Sequence, residues 1–320
     1  MKRFLVLAAA LLFAAPSFAQ VPANFPSRPI RIVVPFPAGS ATDVVGRILA
    51  QSVSAAVGQP VIVDNKVGAD GAIAGSEVVR AAPDGYTLLL ATNSPMAAMP
   101  AMKKVPPYDP VADFTPITDV GRYTFFLYVY AGLPIKTFQE LVAYAKANPG
   151  KLNYATGNTT GIVSFAQMNA LVGIDMTHVP YKGEPQGITD LVTGRVQVMW
   201  ATPTTGLSHV KDGKLRAVAT NLKARSALLP DVQTMTEAGV PKYSVVSWAA
   251  LYGPAKMPRE VQLRVHKEFT DAMKRPDVIA QMDKQAFQMN PTSPEELGAF
   301  TKSQLEAYRV ILKAAGVQPE

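Results

Sequence analysis

The feature that most constrains this chain is an alternation of two periodicities. Short apolar runs at residues 30–34, 61–63, 87–91, 125–130, 152–155, 196–200 and 215–220 have the length and composition of buried strands. Stretches of helical periodicity lie between several of them. Val44, Val45, Ile48, Leu49, Val53 and Val57 share one helical face, and Gly58 stops that helix. Thr137-Phe138-Gln139-Glu140 is a capping box that opens a helix with Phe138, Leu141, Val142 and Ala145 on one side, and Asn148-Pro149-Gly150 ends it. Ser293-Pro294-Glu295-Glu296 is a second capping box, with proline at the first helical position. It starts a C-terminal helix carrying Leu297, Phe300 and Leu305. Buried strands alternating with helices predict an α/β fold of mostly parallel sheets flanked by helices.

Two longer extended stretches, residues 114–130 and 243–253, interrupt the pattern. They suit a chain that leaves one lobe, builds a second and returns through two crossing strands that form a hinge. The expected division is lobe 1 from residues 20–120 plus 247–320 and lobe 2 from residues 121–246. A length of 320 residues accommodates two lobes of ordinary size.

The N-terminus has the organisation of a secretory signal. Lys2 and Arg3 precede an apolar stretch at 4–15, and Ser17-Phe18-Ala19 is a small-x-small cleavage site. Residues 1–19 are therefore expected to be removed, leaving Gln20 first. The apolar stretch is shorter than the roughly 18 residues a membrane span needs. The chain has no cysteine, which excludes disulfides, thiolate metal sites, a cysteine nucleophile and a lipidated N-terminal cysteine. Losing Lys2 and Arg3 removes two of the +7 formal charges and leaves +5. That mild, scattered excess fits weak steering of an anionic ligand. No basic block is dense enough for nucleic acid.

In open α/β sheets, ligands bind beyond the carboxyl ends of the strands. Four of those ends run into small polar residues. They are 35–43 (PFPAGSATD), Thr92-Asn93-Ser94, 156–161 (TGNTTG) and 202–206 (TPTTG). Glycine admits a ligand close to the backbone, and a helix's first turn leaves N–H groups unpaired. Ser, Thr and Asn add donors, so together these stretches suit an anion. Apart from Asp43 they contain no charged side chain, so an anion held there is held by neutral donors. The same residues also serve as ordinary N-caps. Asp43 reads as a first-turn acid favoured by the helix dipole.

Catalytic signatures are missing. There is no G-x-x-x-x-G-K-[ST] and no G-x-S-x-G. His178, His209 and His266 show no metal spacing. Residues 68–75 (GADGAIAG) do not have dinucleotide-binding spacing and read as a helix N-terminal turn. No catalytic residue, metal or cofactor is expected.

The segment 35–50, PFPAGSATDVVGRILA, following a signal peptide, resembles the first signature of the substrate-binding receptors of tripartite tricarboxylate transporters, the Bug-type proteins. VGADGAIAGSEVVRAAPDGYTLLLAT, NYATGNTTGIVSF, HVPYKGEPQGITDLVTGRVQVMW, LRAVAT, LPDVQTMTEAGVP and SWAALYGPAKMP extend the similarity over nearly the whole mature chain. The resemblance implies a two-lobe periplasmic binding protein of type II-like architecture. It implies a monomer that captures an organic carboxylate and delivers it to membrane permease subunits. Carried over residue by residue, the ligand site comprises Phe36, Ser40, Ala41 and Thr42 in lobe 1 and Thr156, Asn158, Thr159 and Thr160 in lobe 2. Thr92 and Asn93 join at the third strand end, followed by Tyr181, Asp190 and Thr202. Ser40 stands where many members have glycine, and TGNTTGIVSF lacks the histidine common near the end of the second loop, so the ligand is not copied from an average member. Phe36, Phe125, Phe126, Tyr128, Tyr130, Trp200 and Trp248 would suit a flat ligand if they face the cleft, and terephthalate is the specific expectation. A ligand sensor for a signalling partner is the alternative. An exported hydrolase would need a nucleophile–base pair that the sequence does not show.

Overall fold

A computed structural model describes residues 25–319. The signal peptide expected at 1–19 lies outside the described residues. In chain order the strands are β1 (Ile30–Val34), β2 (Val61–Asn65), β3 (Thr87–Thr92), β4 (Phe114–Tyr123), β5 (Phe126–Tyr130), β6 (Asn153–Thr156), β7 (Thr177–Pro180), β8 (Val198–Ala201), β9 (Leu215–Thr220), β10 (Trp248–Pro254) and β11 (Phe287–Met289). The helices are α1 (Ala41–Val57), α2 (Ala72–Val79), α3 (Met99–Met102), α4 (Phe138–Ala147), α5 (Thr159–Val172), α6 (Glu184–Val192), α7 (Pro203–Lys211), α8 (Arg259–Met273), α9 (Pro276–Lys284) and α10 (Pro294–Ala314).

The strands form two sheets. One has six strands in the order β11-β4-β10-β3-β1-β2, the other five in the order β7-β6-β8-β5-β9. The chain passes from the first sheet to the second between β4 and β5, and back between β9 and β10. The two crossings are tied together. Phe125 N donates to Asn221 Oδ1 at 2.8 Å, Asn221 N donates to Phe125 O at 3.1 Å, and Tyr123 N donates to Ser247 O at 3.0 Å. Residues 221–247 contain no strand.

The sheets are mixed rather than mostly parallel. Only β2-β1-β3 and β7-β6-β8 are parallel; every pairing of β4, β5, β9, β10 and β11 is antiparallel. β5 and β10 run against their neighbours because each enters from the other lobe, while β11 reverses at the sheet edge within its own lobe. β7 and β11 escape sequence reading because they are short and only partly buried at sheet edges.

The strands read as continuous apolar runs because both faces of each sheet are covered. In β3, Leu88 and Leu90 face one core while Leu89 and Ala91 face another. In β5, Leu127 and Val129 face the first core, while Phe126 and Tyr128 face a third. A further apolar cluster joins the lobes, with Val163 of α5 packed among Ala97, Ala98, Val245, Leu305, Tyr308 and Leu312.

Local signals hold where capping chemistry is strong. Thr137 Oγ1 accepts from Glu140 N at 3.1 Å and the Glu140 side chain returns to Thr137 N. The Ser293–Glu296 box is formed in the same way, and Gly58 ends α1 with a φ of 70°. Thr137→Ala should cost about 1 kcal/mol, the usual cost of losing an N-cap. Chemical denaturation should show a lower midpoint at unchanged slope.

Candidate functional site

The carboxyl ends of β1, β3, β6 and β8 converge on the space between the sheets. A cavity opens there. Phe36, Ser40, Ala41, Thr42, Thr92, Asn93, Ser94, Tyr123 and Ser247 line it from one side. Gly157, Asn158, Thr160, Glu184 and Thr202 line it from the other, with Phe125 at the crossing.

The first wall is built by the turn into α1. Ser40 is the N-cap, and its Oγ accepts from Asp43 N at 3.3 Å. Asp43 is buried and braces the turn. Its carboxylate accepts from Gly39 N at 3.0 Å, from Asn65 Nδ2 at 2.9 Å and from Arg47 Nε at 3.0 Å. Asn65 Nδ2 also donates to Phe36 O at 2.9 Å. Burial pushes the Asp43 pKa up, but the Arg47 guanidinium, the Gly39 N–H and the Asn65 amide outweigh it and hold the group below the ordinary carboxylate value. Asp43 is therefore spent on the loop, as its first-turn position suggests. No described group accepts from the N–H of Ala41 or Thr42, and both residues line the cavity. Those are the orphan donors of a helix start, at its positive end. Thr42 Oγ1 accepts from Tyr123 OH at 3.0 Å.

The second wall repeats the device. Asn158 is the N-cap of α5, and its Oδ1 accepts from Gly161 N at 2.8 Å. Thr160 reaches across the cleft. Its backbone N donates to Ser94 Oγ at 3.1 Å, and the two hydroxyl oxygens are 2.8 Å apart. Ser94 itself is placed by Thr92, whose Oγ1 accepts from Ser94 N at 3.2 Å. Asn93 is fixed from behind, donating to Tyr308 OH and accepting from Trp248 N. Gly157 sits where a Cβ would lie 2.4 Å from Glu184 N, so α6 starts directly against this loop.

Among the described residues Glu184 is the one carboxylate in the cavity wall, and it is 5% exposed. Its Oε2 accepts from Thr202 N at 3.1 Å, Thr202 Oγ1 at 2.7 Å and Thr205 Oγ1 at 3.1 Å. Burial pushes its pKa up and these donors pull it back, leaving it above the ordinary value.

Nine of the expected residues meet in the cavity: Phe36, Ser40, Ala41, Thr42, Thr92, Asn93, Asn158, Thr160 and Thr202. Four stand elsewhere. Thr156 is buried behind the wall, its Oγ1 2.6 Å from His178 Nε2. Thr159 is buried but does not line the cavity. Tyr181 lines an adjoining groove of about 670 Å³. Its hydroxyl donates to Asp190, which also accepts from Arg195 at 3.1 Å. Asp190 is thus an ion-pair partner outside the cavity. Reasoning from the sequence missed Tyr123, Glu184 and Ser247. Among the described aromatic residues, Phe36, Tyr123 and Phe125 reach the cavity, while Phe126, Tyr128, Trp200 and Trp248 fill cores and Tyr130 packs against one. Among the described residues no group of His, Asp and Glu is arranged to hold a metal.

This geometry fits what known proteins show. A family model described as tripartite tricarboxylate transporter family receptor matches residues 45–317. The chain belongs to this family. The UPF0065 protein in the gbd 5′ region of Cupriavidus necator is 36% identical over 311 residues, covering 96% of this chain and 93% of its own. Among solved structures, an R. palustris protein with adipate matches this receptor with a TM-score of 0.89 at 28% identity, covering 92% of this chain and 100% of that one. The periplasmic binding protein BugD matches with a TM-score of 0.88 at 31% identity, again covering 92% and 100%. The receptor thus has the two-lobe architecture of periplasmic binding proteins.

The raised Glu184 pKa gives a pH signature. Below the unfolded carboxylate value the group is protonated in both states and costs nothing. As pH rises past that value the unfolded state loses its proton first, so the buried group increasingly opposes folding. The cost is complete above the folded value. Glu184→Gln should therefore raise the melting temperature of the unliganded receptor at neutral pH. The gain should shrink as pH falls to about 4, the ordinary carboxylate range. Calorimetry across that range checks it, and a constant difference at every pH would remove the linkage.

Proposed function

We propose that this protein is a periplasmic, monomeric solute receptor. It captures an organic carboxylate between its lobes and presents the closed form to the permease subunits of a tripartite tricarboxylate-type transporter. The expected division at 120/121 and 246/247 shifts by a few residues to follow the sheets: one lobe carries the six-stranded sheet through Tyr123 and again from Trp248, the other carries the five-stranded sheet of residues 126–220, and the crossings at 124–125 and 221–247 form the hinge. The observation that carries the reading is the pair of N–H groups on Ala41 and Thr42 that no described group accepts from, on residues that line the cavity. The adipate bound to a structural relative supports the same ligand class.

The chemistry follows from neutral donors. Each hydrogen bond to a charged group contributes roughly 1.5–3 kcal/mol. A few such bonds support reversible binding near the micromolar range. A ligand touching both lobes favours the closed state by its differential affinity for that state alone. Reversible binding with release to a partner needs no nucleophile. Phe36 and Phe125 can flank a flat ligand body, which keeps terephthalate as a candidate. Glu184 opposes a second carboxylate on its side of the cavity.

A thermal-shift screen of the mature protein against aliphatic and aromatic mono- and dicarboxylates, terephthalate included, tests the reading. A ligand at about 100 times its Kd should add about 2.7 kcal/mol of stability. No shift with any carboxylate, together with turnover of an ester, would sink the receptor assignment. Thr160→Val removes the hydroxyl that meets Ser94 and should weaken binding about tenfold, equivalent to about 1.4 kcal/mol. Its melting temperature without ligand should stay close to wild type.

A further inference from the structure

The cavity has an asymmetry that a plain carboxylate does not use. Among the described residues its wall contains no Lys, Arg or His, and its single carboxylate is Glu184. All the hydrogen bonds that Glu184 accepts from described residues go to Oε2. Oε1 receives none from them, yet it is not among the sealed side-chain atoms left without a partner. Oε1 is therefore not sealed, and Glu184 lines the cavity. Opposite it stand the free N–H groups of Ala41 and Thr42. One wall thus offers donors to an anion, and the other offers an acceptor with negative charge.

We propose that Glu184 Oε1 accepts a hydrogen bond from a cationic nitrogen of the ligand, so that the cargo is an amino-carboxylate rather than a plain dicarboxylate. The inference rests on the carboxylate-receptor reading and names the substrate class within it. Three features set Glu184 up for this work. It opens α6 and binds the start of α7, so two helix N-termini favour its charged form. Three donors on one oxygen hold the carboxylate in a single orientation, leaving the other oxygen to the ligand. Gly157, which has no room for a Cβ against Glu184 N, brings the acid next to the loop that carries Asn158 and Thr160. A second carboxylate there would meet a like charge in a cleft partly shielded from water, where repulsion is stronger than in bulk solvent. An ammonium removes that repulsion and supplies the missing partner to a buried acid.

Paired titrations of the mature protein test this: succinate against aspartate, glutarate against glutamate, and glutarate against δ-aminovalerate, by calorimetry at neutral pH. At least one nitrogen-bearing member should bind ten-fold or more tightly than its plain counterpart. Glu184→Gln should bring that ratio close to one, with the plain dicarboxylate bound as well as before or better. Wild-type protein that binds the plain members as tightly as all the amino members overturns the inference and leaves the carboxylate receptor standing. A Glu184→Gln variant that loses equal affinity for both members of a pair also overturns it, because it makes the acid only a tether between α6 and α7. If Glu184→Gln does not fold, the wild-type ratios still decide. Failure of every carboxylate, plain or amino, removes both readings together.

Discussion

One contact sets the relation between the lobes. Ser94, at the end of the central strand of one sheet, meets both the hydroxyl and the backbone N–H of Thr160, in the first turn of the other lobe's α5. Around it, Val163 is packed on Leu305 and Tyr308 of α10. Pro37 lies where a Cβ on Gly183 would come within 2.5 Å of its ring. The cleft is therefore narrowed by contacts belonging to the protein itself. A ligand adds only the difference between what it gains in this arrangement and what it gains in an open one. A receptor that closed too well by itself would lose that difference, and one hydrogen-bonded serine–threonine pair with a small apolar patch is a modest bias.

The same economy governs the electrostatics. The α1 turn offers charge-stabilising N–H groups without placing any cation in the cavity wall. Behind it, Arg47 is engaged with Asp43, and Lys182 lines the adjoining groove. Asp43 in turn fixes Gly39 and, through Asn65, the carbonyl of Phe36. The donors are thereby held in place before a ligand arrives, which reduces the ordering cost of binding. Neutral donors also let the anion go again, as delivery to a permease requires.

Much of this was legible in the sequence because it is local. The turn at 35–43 declares itself by Pro, Gly and an N-cap acid pattern, and α1 follows within one residue of the cap. The capping boxes at Thr137 and Ser293 are read directly, since each is a contact between residues three apart. The mixed character of the sheets was hidden because strand direction depends on which lobe a strand comes from. The apolar runs at β5 and β10 look the same either way. The aromatics were ambiguous for a related reason. Strands covered on both faces bury Trp200 and Trp248 as readily as a cleft would use them, and among the described aromatic residues only Phe36, Tyr123 and Phe125 reach the cavity.

Glu184 marks the limit of local reading. In YKGEPQG it is an acid at a helix start, a position the helix dipole favours in many surface helices. Nothing within a few residues shows that α7 will bring Thr202 and Thr205 onto one of its oxygens, or that Gly157 will seat it against the second loop. A local acid becomes a buried one only through contacts 18 and 21 residues away, closed by a β-strand crossover. A buried carboxylate without a cation among its described partners is costly to keep. That cost falls in the cavity wall, and a charge held at a loss in a cleft is the kind of strain that reports function rather than stability.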